Sequence, residues 1–469
     1  MKPRQWILLT TLVICLSVVV GAAALQEQPQ ADENWQTIVI GKDRLVSVEA
    51  LSEMAEASAG ANPMARVQPQ ATSGQTAQSA TPPPRPSAAL KSEVAIRQPI
   101  VSHKDPRHVF AAIAVDPIRN ELVVGDENNF TIVVYDRTTD TPPTAAFSEP
   151  KRVIGGDNTF LEYLCGVYVD PASGDIYGIN NDTLNWMTVW GREANGNLEP
   201  KRKLATPHTT VRMAVDEEEQ EIFFTVQDDH AVSVFAKMAV DNEVPLRLIQ
   251  GPDTQLADPH GIALDSNTGL IYVSNWGTVA DRYYDEETTR DAYGQYPRYG
   301  KANWPTGRSA NIPGSGRNGP ASVTVYRKDA QGNVAPSQVI SGSNTLLNWP
   351  TDVAVHSERG EVFVANDTGH TVTVYSADAD GNAAPIRVLQ GPNSLIKNPV
   401  GVSLDLENDE LWVANLGSHS ATVYDITADG DATPKRVIRS GPADSSGPLF
   451  ANVHTLAFDT RRGELLTAN

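Results

Sequence analysis

Short apolar runs separated by polar turns recur along this chain at a nearly constant spacing. The stretch PHGIALDSNTGLIYVSN at 259–275 has its clearest copies at 349–366, 399–415 and 453–469. When the copies are aligned on the residue that ends the first apolar run, they lie 46 to 54 residues apart, except for one step of 91. A repeat of this length without a helical segment is typical of four-stranded sheets packed around an axis, which is the β-propeller fold.

Each repeat contains the patterns of four short strands. The first combines small and branched residues, as a strand buried between sheets does, and a turn rich in Asp, Asn, Ser and Gly follows it. Aromatic residues recur at one register of the second strand and at one register of the third, and we interpret them as wedges between neighbouring sheets. The fourth pattern, as in PKRVI at 150–154, carries an Arg that we expect at the outer edge of the sheet.

The number of blades depends on how the chain ends are used. Six complete repeats run from about 109 to 447, and a seventh begins at Val453 and stops after two strand patterns at Asn469. Residues 93–101 have the pattern of a fourth strand. We therefore predict an all-β propeller over 93–469, with seven blades of mostly four antiparallel strands, closed by N- and C-terminal strands. The alternative is six blades with extra flanking strands.

The runs IYVSN, VFVAN and LWVAN, followed at a fixed distance by VTVY, resemble the YVTN-type and NHL-type propeller repeats. This resemblance covers about four fifths of the chain and implies a propeller. Relatives of these repeats include lactonases, an amidating lyase and exported proteins that only bind partners. No catalytic motif of these relatives is carried over onto residues of this sequence.

The start of the chain has the features of an export signal. Lys2 and Arg4 precede an apolar run that ends in small residues, so we predict a signal peptide at 1–24, with an uncleaved anchor as the alternative. Residues 25–92 are rich in Ala, Pro, Ser, Gln and Thr and are predicted to form a flexible tether, with a possible hairpin at 36–48. We expect a periplasmic, cell-surface or extracellular protein without a membrane span in the mature chain.

Charge and cysteine content narrow the possible partners. The formal net charge is −20, which argues against nucleic acid and anionic membranes, because both attract basic patches. One of the two cysteines, Cys15, lies in the export signal, so the mature chain has a single thiol, Cys165, and cannot form an internal disulfide or a cysteine zinc site. We predict neither a metal nor another cofactor.

Two regions could bind a ligand. The residues just before the first strands should line one end of a central channel, and His260, Thr351 and His454 occupy this register. We interpret them mainly as polar residues that line a wet channel, and a metal site is the alternative. The insertion at 277–320 follows Asn275 and Trp276 at the end of a second strand, and its aromatic candidates are Tyr283, Tyr284, Tyr293, Tyr296, Tyr299 and Trp304.

Aromatic and arginine side chains such as those of the insertion dominate recognition surfaces. A long loop without its own core is normally functional or disordered, and packing across a neighbouring blade is a further alternative. The sequence thus favours an exported binding module that uses one rim and this insertion to bind a protein, peptide or glycan. The alternative is a lactonase- or lyase-like enzyme with its site at the channel mouth.

Overall fold

A computed structural model describes the backbone of residues 39–41, 107–181, 184–279, 282–283, 310–311, 317–443, 456–459 and 464–467. Side chains are described within 107–181, 184–277 and 319–443. The predicted signal peptide, nearly all of the tether, the segment 93–101 and His454 lie outside the described residues. So do Tyr284, Tyr293, Tyr296, Tyr299 and Trp304 of the insertion.

Strands account for nearly all of the regular structure in these ranges, and three single 3-10 turns at Asp157–Thr159, Pro252–Thr254 and Leu416–Ser418 complete it. In chain order, the strands are β1 (Val39–Gly41), β2 (Phe110–Asp116), β3 (Glu121–Asp126), β4 (Thr131–Asp136), β5 (Arg152–Gly155), β6 (Leu164–Val169), β7 (Ile176–Asn180), β8 (Trp186–Trp190), β9 (Arg202–Ala205), β10 (Thr210–Asp216), β11 (Glu221–Val226), β12 (Ala231–Ala236) and β13 (Arg247–Gln250). They continue with β14 (Pro259–Asp265), β15 (Leu270–Asn275), β16 (Thr278–Val279), β17 (Arg282–Tyr283), β18 (Ala310–Asn311), β19 (Arg317–Asn318), β20 (Ser322–Arg327), β21 (Gln338–Ser341), β22 (Pro350–His356), β23 (Glu361–Asn366), β24 (Thr371–Ser376), β25 (Arg387–Leu389), β26 (Pro399–Asp405), β27 (Glu410–Asn415), β28 (Ser420–Asp425), β29 (Arg436–Arg439), β30 (Leu456–Asp459) and β31 (Glu464–Thr467).

Twenty-four of these strands form six four-stranded antiparallel sheets, which confirms the all-β propeller. Blade I is β2 to β5, blade II is β6 to β9, and blade III is β10 to β13. Blade IV is β14, β15, β20 and β21, blade V is β22 to β25, and blade VI is β26 to β29. In every blade the strands pair in chain order, and the first strands of neighbouring blades contact one another around the whole ring.

Aromatic wedges fill all six interfaces between blades. At each of five interfaces, the second-strand aromatic of one blade lies in the same buried cluster as the third-strand aromatic of its neighbour. Between blades I and II, Trp190 packs instead against Val123 and Ile132. The five aromatic pairs are Tyr177 with Phe235, Phe223 with Tyr326, Tyr272 with Tyr375, Phe363 with Tyr424, and Trp412 with Tyr135. The interpretation of the repeated aromatics as packing residues is therefore confirmed.

A second repeated contact joins each outer strand to the next blade. A residue of the fourth strand forms a parallel bridge to the turn before the next blade's own fourth strand, as Ile340 does with Gly381 and Leu389 with Gly430. Blade VI makes the same kind of contact with blade I, because the Thr141 N–H donates to the Val437 carbonyl at 2.7 Å. The Val437 N–H in turn donates to Asp140 Oδ1 at 3.0 Å. Blade VI therefore closes directly on blade I.

This closure corrects the predicted number of blades. The described part of the chain forms a ring of six blades, the alternative reading, and not seven. The copy at 453–469 does contain two antiparallel strands, β30 and β31, but β31 pairs with β1 in a separate three-stranded sheet. The apolar face of blade VI that a seventh blade would need is already covered by blade I. Residues 39–41 thus form one strand of the region 36–48, and the remainder of that possible hairpin lies outside the described residues.

The fourth-strand arginines are not free charges on an outer edge. Arg387 Nη1 and Nη2 donate to the two carboxylate oxygens of Glu361 at 2.8 Å each, and the guanidinium lies 5.8 Å from the centre of the Phe363 ring. Hydrogen bonds from Arg387 are the main reason why the pKa of Glu361 falls to about 2. Arg152 forms the same bidentate pair with Glu121. These arginines therefore tie the outer strand to the second strand.

We predict that the ring folds without the strands that follow it. Deleting 444–469 should change the free energy of unfolding by less than roughly 1 kcal/mol, because residues within 107–443 form all six described blade interfaces. Trp412→Ala, which removes a wedge between blades VI and I, should cost about 3–5 kcal/mol. Denaturant unfolding of the two variants tests this difference. A deletion as damaging as Trp412→Ala would mean that the C-terminal strands belong to the ring.

Candidate binding site at the channel mouth

One end of the central channel is built by a turn contact that repeats around the ring. In five blades, the residue after the second strand donates its N–H to the carbonyl of a residue that lies just before or at the start of the first strand. The pairs are Asn181 with Tyr163, Gln227 with Thr209, Trp276 with Asp258, Asp367 with Trp349, and Leu416 with Asn398, all at 2.9 to 3.1 Å. The five acceptor residues have positive φ angles between 39° and 59°. We call this end of the channel the mouth.

Arg212 of blade III forms the floor of the mouth and joins four blades. Its Nη2 donates to the carbonyls of Ala111 in blade I at 2.9 Å and Val400 in blade VI at 2.5 Å. Its Nε lies 3.5 Å from Oδ2 of Asp352 in blade V. Both side chains are buried, and burial raises the pKa of Asp352 although the Arg212 charge opposes this shift. The guanidinium thus crosses the channel and holds the ring together at its centre.

A stack of aromatic rings forms one wall of the mouth. The His260 ring lies parallel to the Trp276 ring with 3.6 Å between their centres, and the Trp276 and Trp349 centres are 4.5 Å apart. His260 Nε2 is 3.2 Å from Asp258 Oδ1, but neither atom makes a hydrogen bond of good geometry. Burial lowers the pKa of His260, so its imidazole is neutral at pH 7. Trp349 stays 47% exposed and faces solvent.

Two carboxylates also lie at the mouth. Glu127 follows the second strand of blade I, and its pKa is raised to about 7, first by burial and then by the nearby charge of Asp126. The Glu127 side chain is partly exposed to solvent but has many protein atoms close to it, as expected at a narrow opening. Burial also raises the pKa of Asp367. Asp367 further raises the pKa of Glu127, which shows that the two carboxylates share one electrostatic environment.

The structure brings together two of the sequence candidates, His260 and Trp276. Thr351 is buried at the same level, but its hydroxyl donates to the carbonyls of Pro399 and Ala365 at 3.1 and 3.3 Å. Asn275 is also buried, where its amide donates to Thr324 Oγ1 and its Oδ1 accepts the Ala257 N–H. The backbone of Tyr283 pairs with Ala310 in the ribbon that extends β15 and β20. The remaining candidates lie outside the described residues.

Sequence reasoning missed most of the residues that complete the mouth. These are Glu127, Arg212, Asp258, Trp349, Asp352 and Asp367. The repeat alignment already contains the signal for them: Arg212 and Asp352 stand four positions before the alignment residue, and Asp258 and Trp349 stand seven before it. Glu127 and Asp367 occupy the position of Trp276 in their own repeats. Reading these registers around the ring would have placed all of them at one end of the channel.

Within the part of the chain that the structure describes, no group of three or more His, Cys, Asp or Glu side chains is arranged to hold a metal ion. The same ranges contain no helix of the length and hydrophobicity that a bilayer crossing requires.

Searches with family models and against curated proteins find no match to this chain. Among solved structures, the chain is similar to one titled "Crystal structure of Nidogen/Laminin Complex", with 13% sequence identity and a TM-score of 0.40. The match covers 71% of this chain and 96% of the other.

We predict that Arg212 is essential for stability. Arg212→Met leaves the Asp352 carboxylate buried without its cation, so the free energy of unfolding should fall by about 3–5 kcal/mol. The double variant Arg212→Met with Asp352→Asn should recover part of this loss, because the uncompensated charge is gone. Denaturant unfolding of the two variants and the parent tests the pair. A loss below about 1 kcal/mol for Arg212→Met would contradict this role.

We also predict a pH dependence of stability that originates in Glu127. Its carboxyl binds a proton more tightly in the folded chain than in the unfolded chain, where its pKa is near 4.5, so stability falls as pH rises from there through about 7. Glu127→Gln should remove about 2 kcal/mol of this fall, and exposed Glu407→Gln should leave the dependence unchanged. The measurement is the unfolding free energy between about pH 5 and 8. Parallel curves for Glu127→Gln and the parent would show that Glu127 has no such effect.

Proposed function

We propose that this chain is an exported propeller that binds a polypeptide partner with the face around the channel mouth. The export part of the proposal rests on the basic and apolar start of the chain and on the small residues that follow it. The binding part rests on the arrangement of side chains at one end of the ring. Propellers commonly bind a partner with one face of a rigid ring. In this chain, the side chains on that face differ from blade to blade.

The observation that carries the proposal is the exposed apolar surface beside the stacked rings of His260 and Trp276. Trp349 is 47% exposed, and the turns of blades V and VI add Leu346 and Leu395, which are 52% and 47% exposed. All three lie in connections that enter the first strands, so they are on the face of the mouth. An exposed tryptophan on such a face is typical of an energetically dominant contact.

The insertion starts on this same face. Trp276 is followed by Gly277, whose φ of +94° directs the chain into the ribbon of β16 with β19 and of β17 with β18. A Cβ at Gly277 would lie 2.5 Å from the Gly319 carbonyl oxygen, so a side chain there would clash with the ribbon. The insertion, whose sequence is rich in Tyr and Arg, is therefore rooted beside the aromatic wall. This position favours a partner that contacts the wall and the insertion together.

A second candidate function has one observation in its favour. His260 is buried, its lowered pKa keeps the ring neutral, and Asp258 lies 3.2 Å from it, so the pair could remove a proton from a substrate at the mouth. This pair supports the lactonase- or lyase-like alternative. We place it second because Thr351 already donates to two carbonyls within the ring and offers no free hydroxyl.

We predict that Trp349 dominates partner binding. Peptides selected against the purified mature protein from a random display library should bind Trp349→Ala at least about tenfold more weakly than the parent by calorimetry. Leu406→Ala is the matched control, because Leu406 is 54% exposed in the connection of β26 with β27, at the opposite end of the blade. Binders that tolerate Trp349→Ala but not Leu406→Ala would contradict the proposed face. Failure to select any peptide, with turnover of a lactone abolished by His260→Ala, would favour the enzymatic alternative.

A further inference from the structure

The mouth holds more negative charge than its own cations neutralise. Glu127, Asp258 and Asp367 lie there, while the nearby basic groups are Arg212, His260 and His370, whose Nδ1 accepts the Asn398 N–H at 3.0 Å. Arg212 is already bound to two carbonyls and lies against Asp352, and burial keeps His260 neutral by lowering its pKa. Repulsion between carboxylates that are held close together at a narrow opening destabilises the folded state. A bound positive charge would relieve this repulsion.

Buried polar atoms without hydrogen-bond partners point to the same place. Asp258 and His260 are 8% and 7% exposed, and Asp258 Oδ1 and His260 Nε2 make no hydrogen bond of good geometry. The indole Nε1 of Trp276, in contact with His260, also has no partner. Buried polar atoms are normally satisfied, and of these three the carboxylate oxygen of Asp258 is the one that can accept a hydrogen bond from a cationic donor at the mouth.

The aromatic wall determines which ligand chemistry fits. Trp276 lies between His260 and Trp349, and Trp349 leaves nearly half of its surface open next to Asp367, whose N–H donates to the Trp349 carbonyl at 3.0 Å. An indole face attracts a cation through its quadrupole, and a planar guanidinium can stack on it while donating hydrogen bonds in its own plane. An ammonium group is a compact point charge and would use only one of these two contacts.

We propose that the channel mouth binds an arginine side chain of the partner, with its guanidinium stacked on Trp349 and paired with the carboxylates of Glu127 and Asp367. This inference rests on the proposed function and names the group that the mouth recognises. It also assigns the mouth a specificity for planar cations that a general protein-binding face would not have.

Binding of a cation should depend on pH through Glu127. Asp126, Asp367 and Arg212 act on this carboxyl. His108 lies 2.6 Å from Asp126, His370 acts on Asp367, and His260 and Asp258 lie at the same mouth. With its pKa near 7, Glu127 is largely protonated at about pH 6 and releases the proton when a cation binds. Arginine should therefore bind about three- to tenfold more tightly at about pH 8 than at about pH 6.

The test uses N-acetyl-argininamide as the probe and N-acetyl-citrullinamide, its uncharged analogue, as the comparison. With 5-fluorotryptophan in the intact mature protein, the arginine probe should shift the fluorine signals of Trp276 and Trp349, which Trp→Phe variants assign. The citrulline probe should bind at least about tenfold more weakly. Glu127→Gln should weaken arginine binding about three- to tenfold and remove its pH dependence, while Glu407→Gln should change neither.

Equal binding of the two probes, or unchanged arginine binding by Glu127→Gln, would overturn the inference. If selected peptides depend on Trp349 but not on any arginine, the inference fails and the proposed function stands. If the arginine probe binds at the mouth but no peptide is selected, the proposed function fails and the charge recognition stands. An N-acetyl-lysinamide probe that binds as well as the arginine probe would contradict the preference for a planar cation.

Discussion

The structure depends on one constraint, which is that no blade can bury its aromatic face by itself. Each four-stranded sheet places a wedge such as Trp412 or Phe363 on a face that only the next blade can cover. Exposing such a face costs several kcal/mol for each aromatic side chain, so the sheets must continue until the last covers the first. Blade VI reaches this condition by packing Trp412 and Val423 against Phe110 and Tyr135 of blade I.

Closure of the ring also creates the candidate site. The first strands of all blades converge on one axis, so residues that are hundreds of positions apart in the chain become neighbours at its end. Arg212 contacts the carbonyl of Ala111 and lies against Asp352 only because blades I, III and V face one channel. The repeated turn contact uses backbone atoms only, so the side chains of the residues that form it can differ from blade to blade. The mouth can therefore carry Trp276 in one blade and Asp367 in another without a change in fold.

The sequence predicts the repeated elements well because their causes are local. The alternation of apolar and polar residues, the Asp-based turns and the aromatic registers each act within a few residues, and the strands follow them. Asp170 Oδ1 accepts the N–H groups of Ala172 and Ser173 at 2.8 Å, as the turn pattern implies. The place of the insertion, between β15 and β20, follows from the same regularity.

The number of blades and the composition of the mouth do not follow from local pattern. The run at 453–469 has the residues of strands, but a strand pattern does not specify which sheet the strand joins. His260 and Trp276 could be found because one lies in the channel register and the other at the root of the insertion. The pairing of Arg212 with Asp352 depends on the geometry of the closed ring. The effect of the Asp367 charge on the pKa of Glu127 depends on it as well. Thr351 was in the correct register, but the carbonyl of Pro399 in the neighbouring blade takes its hydroxyl.

The distance between the outer edges of blades I and VI tests the direct closure most sharply. Spin labels on Thr138→Cys and Lys435→Cys, in a Cys15→Ser and Cys165→Ser background, lie on either side of the contact between Thr141 and Val437. We predict an interspin distance below about 20 Å by electron paramagnetic resonance, because the two edges are hydrogen-bonded neighbours. An interspin distance longer by about 10 Å or more, the separation of packed sheets, would show that another blade lies between them and would contradict the six-bladed ring.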